Sequence, residues 1–208
     1  MYSHSVMLES KKCIGCTDCI KRCPTEAIRV KDAKANIIQE RCIDCGNCIA
    51  VCRNGAKKAV MGKLEQMKDY QYCIALPAPS FYAQFPKCKE VGQIIEALHR
   101  IGFTECMDVA YAAEVIAKKT KVYVQSASSK PVISSACPVI VRLIQRCYPE
   151  LIEHLLPIMS PMELAARTVK ALYKEKGIEE DAVGVFFISP CPVKATDIQR
   201  PKGFQGQL

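Results

Sequence analysis

Eight cysteines at fixed spacing constrain this chain more than any other feature. Cys13, Cys16, Cys19 and Cys23 form a C-x2-C-x2-C-x3-C-P run, and Cys42, Cys45, Cys48 and Cys52 repeat it 29 residues later with Arg53 in place of the proline. A repeat of that period with ligand-type residues in register is an organised feature of the fold. The chain holds 14 cysteines in 208 residues, which poses a choice between disulfides and metal. Cysteines two and three residues apart cannot easily pair with one another, but they can converge on one metal centre. The stretch from Met1 to Lys12 has no apolar core of about 7–15 residues, so a secretory signal is not expected. Metal in a reducing, cytoplasmic compartment is the expectation.

The run is that of the bacterial two-cluster ferredoxins, in which the fourth cysteine of each copy ligates the other cluster. This resemblance assigns Cys13, Cys16, Cys19 and Cys52 to one 4Fe–4S centre, and Cys42, Cys45, Cys48 and Cys23 to the other. Three thiolates two residues apart let a loop wrap a cubane while its backbone N–H groups face the sulfides. Gly15 and Gly46 fit places that need positive φ or close approach. Ile14, Ile20, Ile28, Ile43, Ile49 and Val51 are expected to form an apolar jacket that limits solvent access. Asp18 and Asp44, read as matching positions of the two copies, are assigned to loop turns. Zinc knuckles also use C-x2-C pairs, but they rarely carry three cysteines so spaced, and no histidine lies inside the motifs. About 60 residues bury too little surface to be stable alone, so the centres are expected to supply part of the folding energy.

Composition fits that reading. The formal charge is +8, which invites a nucleic-acid partner, yet each four-thiolate centre contributes about −2 and the net falls to about +4. The basic residues near the motifs (Lys11, Lys12, Lys21, Arg22, Lys57, Lys58) are scattered without interleaved aromatics, so no nucleic-acid binding is expected. No apolar run reaches the roughly 18 residues of a membrane span.

After a polar linker at 63–72, strands and helices alternate. Tyr72–Leu76, Lys121–Gln125, Val132–Ser135 and Val183–Ser189 read as strands, and Val91–His99, Val139–Arg146 and Met162–Lys174 as helices. Such alternation suggests βαβ units on a mainly parallel sheet, with functional groups on loops at the carboxyl ends of strands. Two loops carry a cysteine beside proline: Ser134-Ser135-Ala136-Cys137-Pro138 and Ser189-Pro190-Cys191-Pro192-Val193-Lys194. Each thiolate would meet helix N-terminal amides.

These two loops, with Tyr148-Pro149-Glu150, Leu155-Leu156-Pro157 and Ser160-Pro161 between them and Ala78-Pro79-Ser80, Gly102-Phe103, Asp108 and Ala113-Glu114 upstream, follow in order the pattern of FeFe-hydrogenase large subunits. The chain resembles that family, in its sensory branch, over nearly its whole length. The implied fold is an α+β two-cluster ferredoxin domain (1–62), the linker (63–72) and a partial α/β hydrogenase-like domain (73–208). The resemblance makes Cys137 and Cys191 two of the four ligands of the hydrogen-forming H-cluster. It makes Lys194 a contact to a ligand on its di-iron unit, with Asp197 in place of a glutamate.

The departures from the family bear on activity. The family's last two cluster ligands come from a C-terminal motif with two close cysteines, and nothing from Cys191 to Gln207-Leu208 resembles it. Catalytic members carry a proton-relaying cysteine where this chain has Ala136, a methionine where it has Ser189, and adjacent glutamates where it has Lys119 and Thr120. The implied role is electron transfer through two 4Fe–4S clusters to a redox- or hydrogen-sensing module, with a redox partner protein and a downstream signalling domain as partners. A hydrogen-converting enzyme and a hydrogenase-like assembly factor are the alternatives, and an H-cluster is expected only with the missing ligands supplied. Cys73, Cys88, Cys106 and Cys147 are expected to be buried free thiols. His4, His99 and His154 show no partner spacing.

Overall fold

A computed structural model describes residues 4–199; the outermost residues of both expected domains, Gln207 and Leu208 among them, lie outside the described residues. In chain order the elements are β1 (Val6–Leu8), α1 (Asp18–Lys21), β2 (Ile28–Lys31), β3 (Lys34–Ile37), α2 (Asn47–Ala50) and β4 (Lys57–Ala59). They continue with β5 (Tyr72–Pro77), α3 (Pro79–Tyr82), α4 (Val91–Ile101), β6 (Glu105–Cys106) and α5 (Val109–Ser126). The remainder is α6 (Pro138–Cys147), α7 (Pro161–Glu175), β7 (Val183–Ile188) and α8 (Pro192–Gln199). The chain divides into two compact units that are not contiguous in sequence. The first joins the segment up to Gly62 to Cys137–Leu155 and to the stretch from Cys191; the second holds Lys63–Ala136 and Leu156–Pro190.

The first unit follows the repeat. β1 pairs antiparallel with β4 (Val6 opposite Ala59) and β2 with β3 (Ile28 opposite Ile37). Asp32 and Ala33 both take positive φ, 51° and 55°, giving the two-residue hairpin loop whose twist suits the strands it joins. Each cysteine loop ends in a single helical turn, α1 or α2, that carries the third cysteine of its copy, Cys19 or Cys48. Val6, Cys13, Cys19, Ile28, Ala35, Cys48 and Ala56 form one buried cluster. Ile28 and Ile43 are buried as expected of a jacket, whereas Ile14 is 68% exposed.

The second unit is built on a parallel three-stranded sheet in the order β6-β5-β7, with Tyr72 to Pro77 in register with Val183 to Ile188. Successive β5 side chains point to opposite faces. Ile74 and Leu76 pack with Val109, Ala112, Ala165, Val169 and Tyr173 of α5 and α7, and Cys73 and Ala75 pack with Leu98 of α4 and with Phe103. Both faces are therefore covered, and β5 reads as a continuous apolar run for that reason. Burying Ile74 and Leu76 is worth about 1.5–3 kcal/mol each.

Two expected strands are absent. Lys121–Gln125 lies within α5, capped by the Asp108 carboxylate, which accepts from the Ala110 amide at 2.8 Å. The alternating Val122-Tyr123-Val124 looks like a strand, but the face begun by Val109, Ala112 and Ile116 carries the helix through it, and Tyr123 packs beside Ile116 and Leu156. Val132–Ser135 forms no strand; it is held by the Leu156 amide on the Ile133 carbonyl at 2.8 Å and by the Ser135 hydroxyl, 2.7 Å from the Leu156 carbonyl. Cys137 therefore caps a helix without following a strand, whereas Cys191 does follow β7.

A two-cavity cysteine site

The eight repeated cysteines sort into two cavities. Cys13, Cys16, Cys19 and Cys52 line one of about 360 Å³, together with Leu8, Gly15, Val30 and Lys57. Cys23, Cys42, Cys45 and Cys48 line one of about 340 Å³, with Val6, Ile28, Ile37 and Gly46. The fourth cysteine of each copy thus stands with the first three of the other.

Backbone geometry follows the 29-residue period. Each loop needs two left-handed residues, and each copy places its glycine differently. Gly15 (φ 71°) matches Asp44 (φ 53°), and Thr17 (φ 67°) matches Gly46 (φ 79°). Asp18 and Asp44 are therefore not counterparts: Asp18 matches Asn47, and Asp44 takes a glycine's place. At Gly15 a Cβ would stand 2.7 Å from the Ala33 carbonyl oxygen, so the hairpin loop closes on the first cysteine loop only because no side chain intervenes. At Gly46 a Cβ would meet the Pro192 ring at 3.1 Å, which puts the residue after Cys191 against the second cysteine loop.

Amides face the sulfurs. Ala27 donates to Cys23 Sγ at 3.1 Å and Ala56, its counterpart, to Cys52 Sγ at 3.2 Å. Ala35 donates to Cys13 Sγ at 3.4 Å and, foremost among several causes, draws that thiol's pKa down. The matching amide in the other copy, Val6, donates instead to Asp44 Oδ1 at 3.1 Å. Burial pushes the Cys42 thiol up to about 12, a direction the Asp44 charge reinforces, and pushes Cys48 up to about 11. Ligation by these sulfurs expels their protons, so centre binding is linked to pH and to folding.

Asp44 is fully buried. Burial alone would raise its pKa, but the His4 ring at 2.8 Å and the Val6 amide hold it below the ordinary carboxylate range. Arg142 of α6 lies 3.6 Å from Asp44 and 3.5 Å from Asp197 of α8. Thr196 accepts from the Ser5 amide at 3.1 Å, and Ser5 donates its hydroxyl to the Pro192 carbonyl. His4 and Arg142 thus belong to the site's surroundings, which spacing alone did not reveal. A cysteine copy with an aspartate where its twin has glycine was the available signal.

Cys137 is exposed at the start of α6, Cys191 and Lys194 are half-buried, and all three belong to the first unit. Of the remaining thiols only Cys73 is buried and Cys106 half-buried; Cys88 and Cys147 are exposed, contrary to expectation, because each sits where its segment faces water. His99 closes on the Phe103 carbonyl at 2.9 Å.

The donor sets suit iron–sulfur centres: two groups of four sulfurs, inward amides, an apolar surround and a buried Lys57 ammonium with no hydrogen-bond partner among the described residues, which an anionic group in the first cavity would balance. No helix among the described residues is long and apolar enough to cross a membrane.

Residues 71–206 match the family described as iron only hydrogenase large subunit, C-terminal domain, and residues 5–53 match the 4Fe–4S dicluster domain. The periplasmic Fe hydrogenase large subunit of Nitratidesulfovibrio vulgaris is 29% identical over 96% of this chain and 52% of its own length. Iron hydrogenase 1 of Clostridium pasteurianum is 28% identical over 53% of this chain and 20% of its own. The chain thus spans about half the length of the first relative and a fifth of the second. Among solved structures, a variant of FeFe-hydrogenase HydA1 from Chlamydomonas reinhardtii matches with TM-score 0.51 and 23% identity over 67% of this chain and 37% of that one. An FeFe-hydrogenase structure of HydA(deltaEFG), concerned with stepwise H-cluster assembly, matches with TM-score 0.50 and 24% identity over 63% and 36%. Fold, paired cavities and matched domains agree: the chain belongs to the iron-only hydrogenase large-subunit family, of which it is a partial representative carrying a 4Fe–4S dicluster domain.

Proposed function

We propose that this protein conducts single electrons between a redox partner protein and a hydrogenase-type site, in a redox- or hydrogen-sensing role within a reducing, cytoplasmic setting. The observation that carries the reading is the crossed sorting of the cysteines, joined to the placement of Pro192 on the second cysteine loop. When bound, a 4Fe–4S centre accepts and releases one electron at a time. Cys13, Cys16, Cys19 and Cys52 hold the first centre, and Cys23, Cys42, Cys45 and Cys48 the second. The Ala27, Ala35 and Ala56 amides stabilise negative charge on three of these sulfurs. Pro192 meets the second cysteine loop, so a centre held by Cys23, Cys42, Cys45 and Cys48 would be the one facing Cys191 and would supply one-electron exchange in that direction. A downstream signalling domain would read the state of that site.

The sensory role rests on chemistry missing beside Cys137. Ala136 carries no ionisable proton, and general acid–base transfer is worth about 10²–10⁴-fold. A catalytic fragment is the second reading, favoured by the chain spanning only half of its hydrogenase relative. Anaerobic reconstitution should give about eight iron and eight sulfide per chain, and Cys16→Ser or Cys45→Ser should each remove one centre. Stoichiometric zinc without a visible charge-transfer band would overturn the electron-transfer reading. In a chain matured with the H-cluster, the sensory reading expects hydrogen to bleach the centres without sustained viologen reduction. Turnover at an enzymatic rate would favour the catalytic one.

A further inference from the structure

The two cysteine copies are not electrostatically equivalent. Ile28 lies five residues after Cys23, and Lys57 lies five residues after Cys52, so the 29-residue repeat makes them counterparts. Both are buried, at 2% and 3% exposure, and each lines a cavity: Ile28 the second and Lys57 the first. One copy therefore presents a hydrocarbon to its centre where the other presents an ammonium. Burying a charge without a partner is costly, and Lys57 Nζ has no hydrogen-bond partner among the described residues. The charge is felt by sulfurs of both sets, Cys13 and Cys19 of the first and Cys48 of the second, but of the two cavities it is the first that Lys57 lines.

A second asymmetry points the same way with less force. Asp44 puts a buried carboxylate beside the second set of sulfurs where the first copy has Gly15, but the Arg142 guanidinium at 3.6 Å offsets it and the His4 ring hydrogen-bonds it at 2.8 Å. Lys57 has no such counter-charge in hydrogen-bond contact.

We propose that Lys57 is a potential-setting residue, whose buried ammonium holds an electron on the centre of Cys13, Cys16, Cys19 and Cys52 in preference to the centre of Cys23, Cys42, Cys45 and Cys48. The chemistry is one-electron: a donor such as reduced viologen gives one electron, and a four-thiolate centre goes from about −2 to about −3 with no bond made or broken. A positive charge in a medium of low polarisability favours the more negative state, so it raises that centre's potential. The electron then rests on the centre farther along the route from Cys191 and is passed on against a gap that Lys57 sets. The inference rests on the two-centre reading but not on any hydrogenase activity.

The test is an EPR-monitored redox titration of the full reconstituted chain and of Lys57→Met, Lys57→Arg and Ile28→Lys, with iron measured in each. The wild type should show two resolved one-electron steps. Lys57→Met should lower the upper step, cutting the equilibrium preference for the first centre about tenfold, which is about 59 mV for a one-electron couple. The lower step should move less, because Lys57 also acts on Cys48 of the second set, and Lys57→Arg should keep the gap. Ile28→Lys should raise the lower step and narrow the gap, a readout that remains if Lys57→Met loads poorly. Full iron with an unchanged gap in Lys57→Met, or in Ile28→Lys, would overturn the assignment to Lys57 alone. A wild-type chain without about eight iron would overturn the two-centre reading, and this inference with it.

Discussion

Arg142 reaches the Asp44 carboxylate at 3.6 Å from a helix almost a hundred residues further along the chain, and Asp44 has no exposure to solvent. The pair, with His4 at 2.8 Å, ties the second cysteine loop to α6 and α8 in one charged network.

Because Asp44 is buried and Arg142 nearly so, removing one partner should cost more than removing both. Arg142→Ala is expected to destabilise the first unit by about 1–3 kcal/mol, since Asp44 loses its guanidinium but keeps the His4 ring and the Val6 amide. Asp44→Asn combined with Arg142→Leu should cost clearly less. Urea unfolding of the reconstituted chain, followed by loss of its visible absorbance, measures both. Equal costs would show that the network contributes packing only.

Gly15→Ala should be severe for two independent reasons: φ is 71°, and the new methyl would stand 2.7 Å from the Ala33 carbonyl oxygen. Strain of this kind costs on the order of 1–3 kcal/mol, and moving the β2–β3 hairpin adds to it. Gly55→Ala, at φ 58° with nothing within 4 Å, carries only the backbone strain. Iron content after reconstitution should therefore fall in the first variant and hold in the second.

Alkaline pH should loosen the second unit. Burial, aided by the Glu105 carboxylate, raises the Tyr173 phenol from 10.0 to about 12. The folded state thus resists the loss of this proton more than the unfolded chain does. The stabilisation is whole below pH 10 and declines as pH climbs through about 12, on the order of 2 kcal/mol at full effect. Tyr173→Phe should make that decline shallower in circular-dichroism unfolding curves; an unchanged slope would remove Tyr173 as its source.

Hydrogen evolution from reduced viologen by the 208-residue chain should stay at background, and Ala136→Cys in the same chain should not raise it. In a chain supplied with both further cluster ligands, the same substitution should raise turnover, within the roughly 10²–10⁴-fold reach of a positioned acid. Robust activity without the substitution would show that proton delivery takes another route.

The cysteine run made a two-cluster domain legible because thiolate spacing is a local code, readable without tertiary contacts; the crossed division into two sets came from the resemblance, since spacing alone does not join the fourth cysteine of one copy to the other. The apolar runs of β5 and β7 were legible for a related reason: strands covered on both faces lose their polar alternation. Lys121–Gln125 misled because alternating valines mimic a strand, and only the burial of Val109, Ala112 and Ile116 on one face makes the segment helical. His4, Asp44 and Arg142 escaped because their partnership spans sequence distances at which no periodicity operates. Lys57 was visible as a base but not as a buried one; its place opposite Ile28 emerges once the repeat is laid on the two cavities.

The scattered make-up of the first unit bears on how the protein comes into being. Its cysteine copies are complete by Cys52, yet Arg142, Pro192 and Thr196, which brace the second copy, arrive much later. At about 5–20 residues per second of synthesis, the ribosome needs roughly 7–27 seconds to pass from Gly62 to Gln199. For that interval the second set of thiols, Cys23, Cys42, Cys45 and Cys48, would stand without that bracing, open both to an iron–sulfur donor and to oxidants. Oxygen met during translation should then lower the share of protein that matures with the second centre in place.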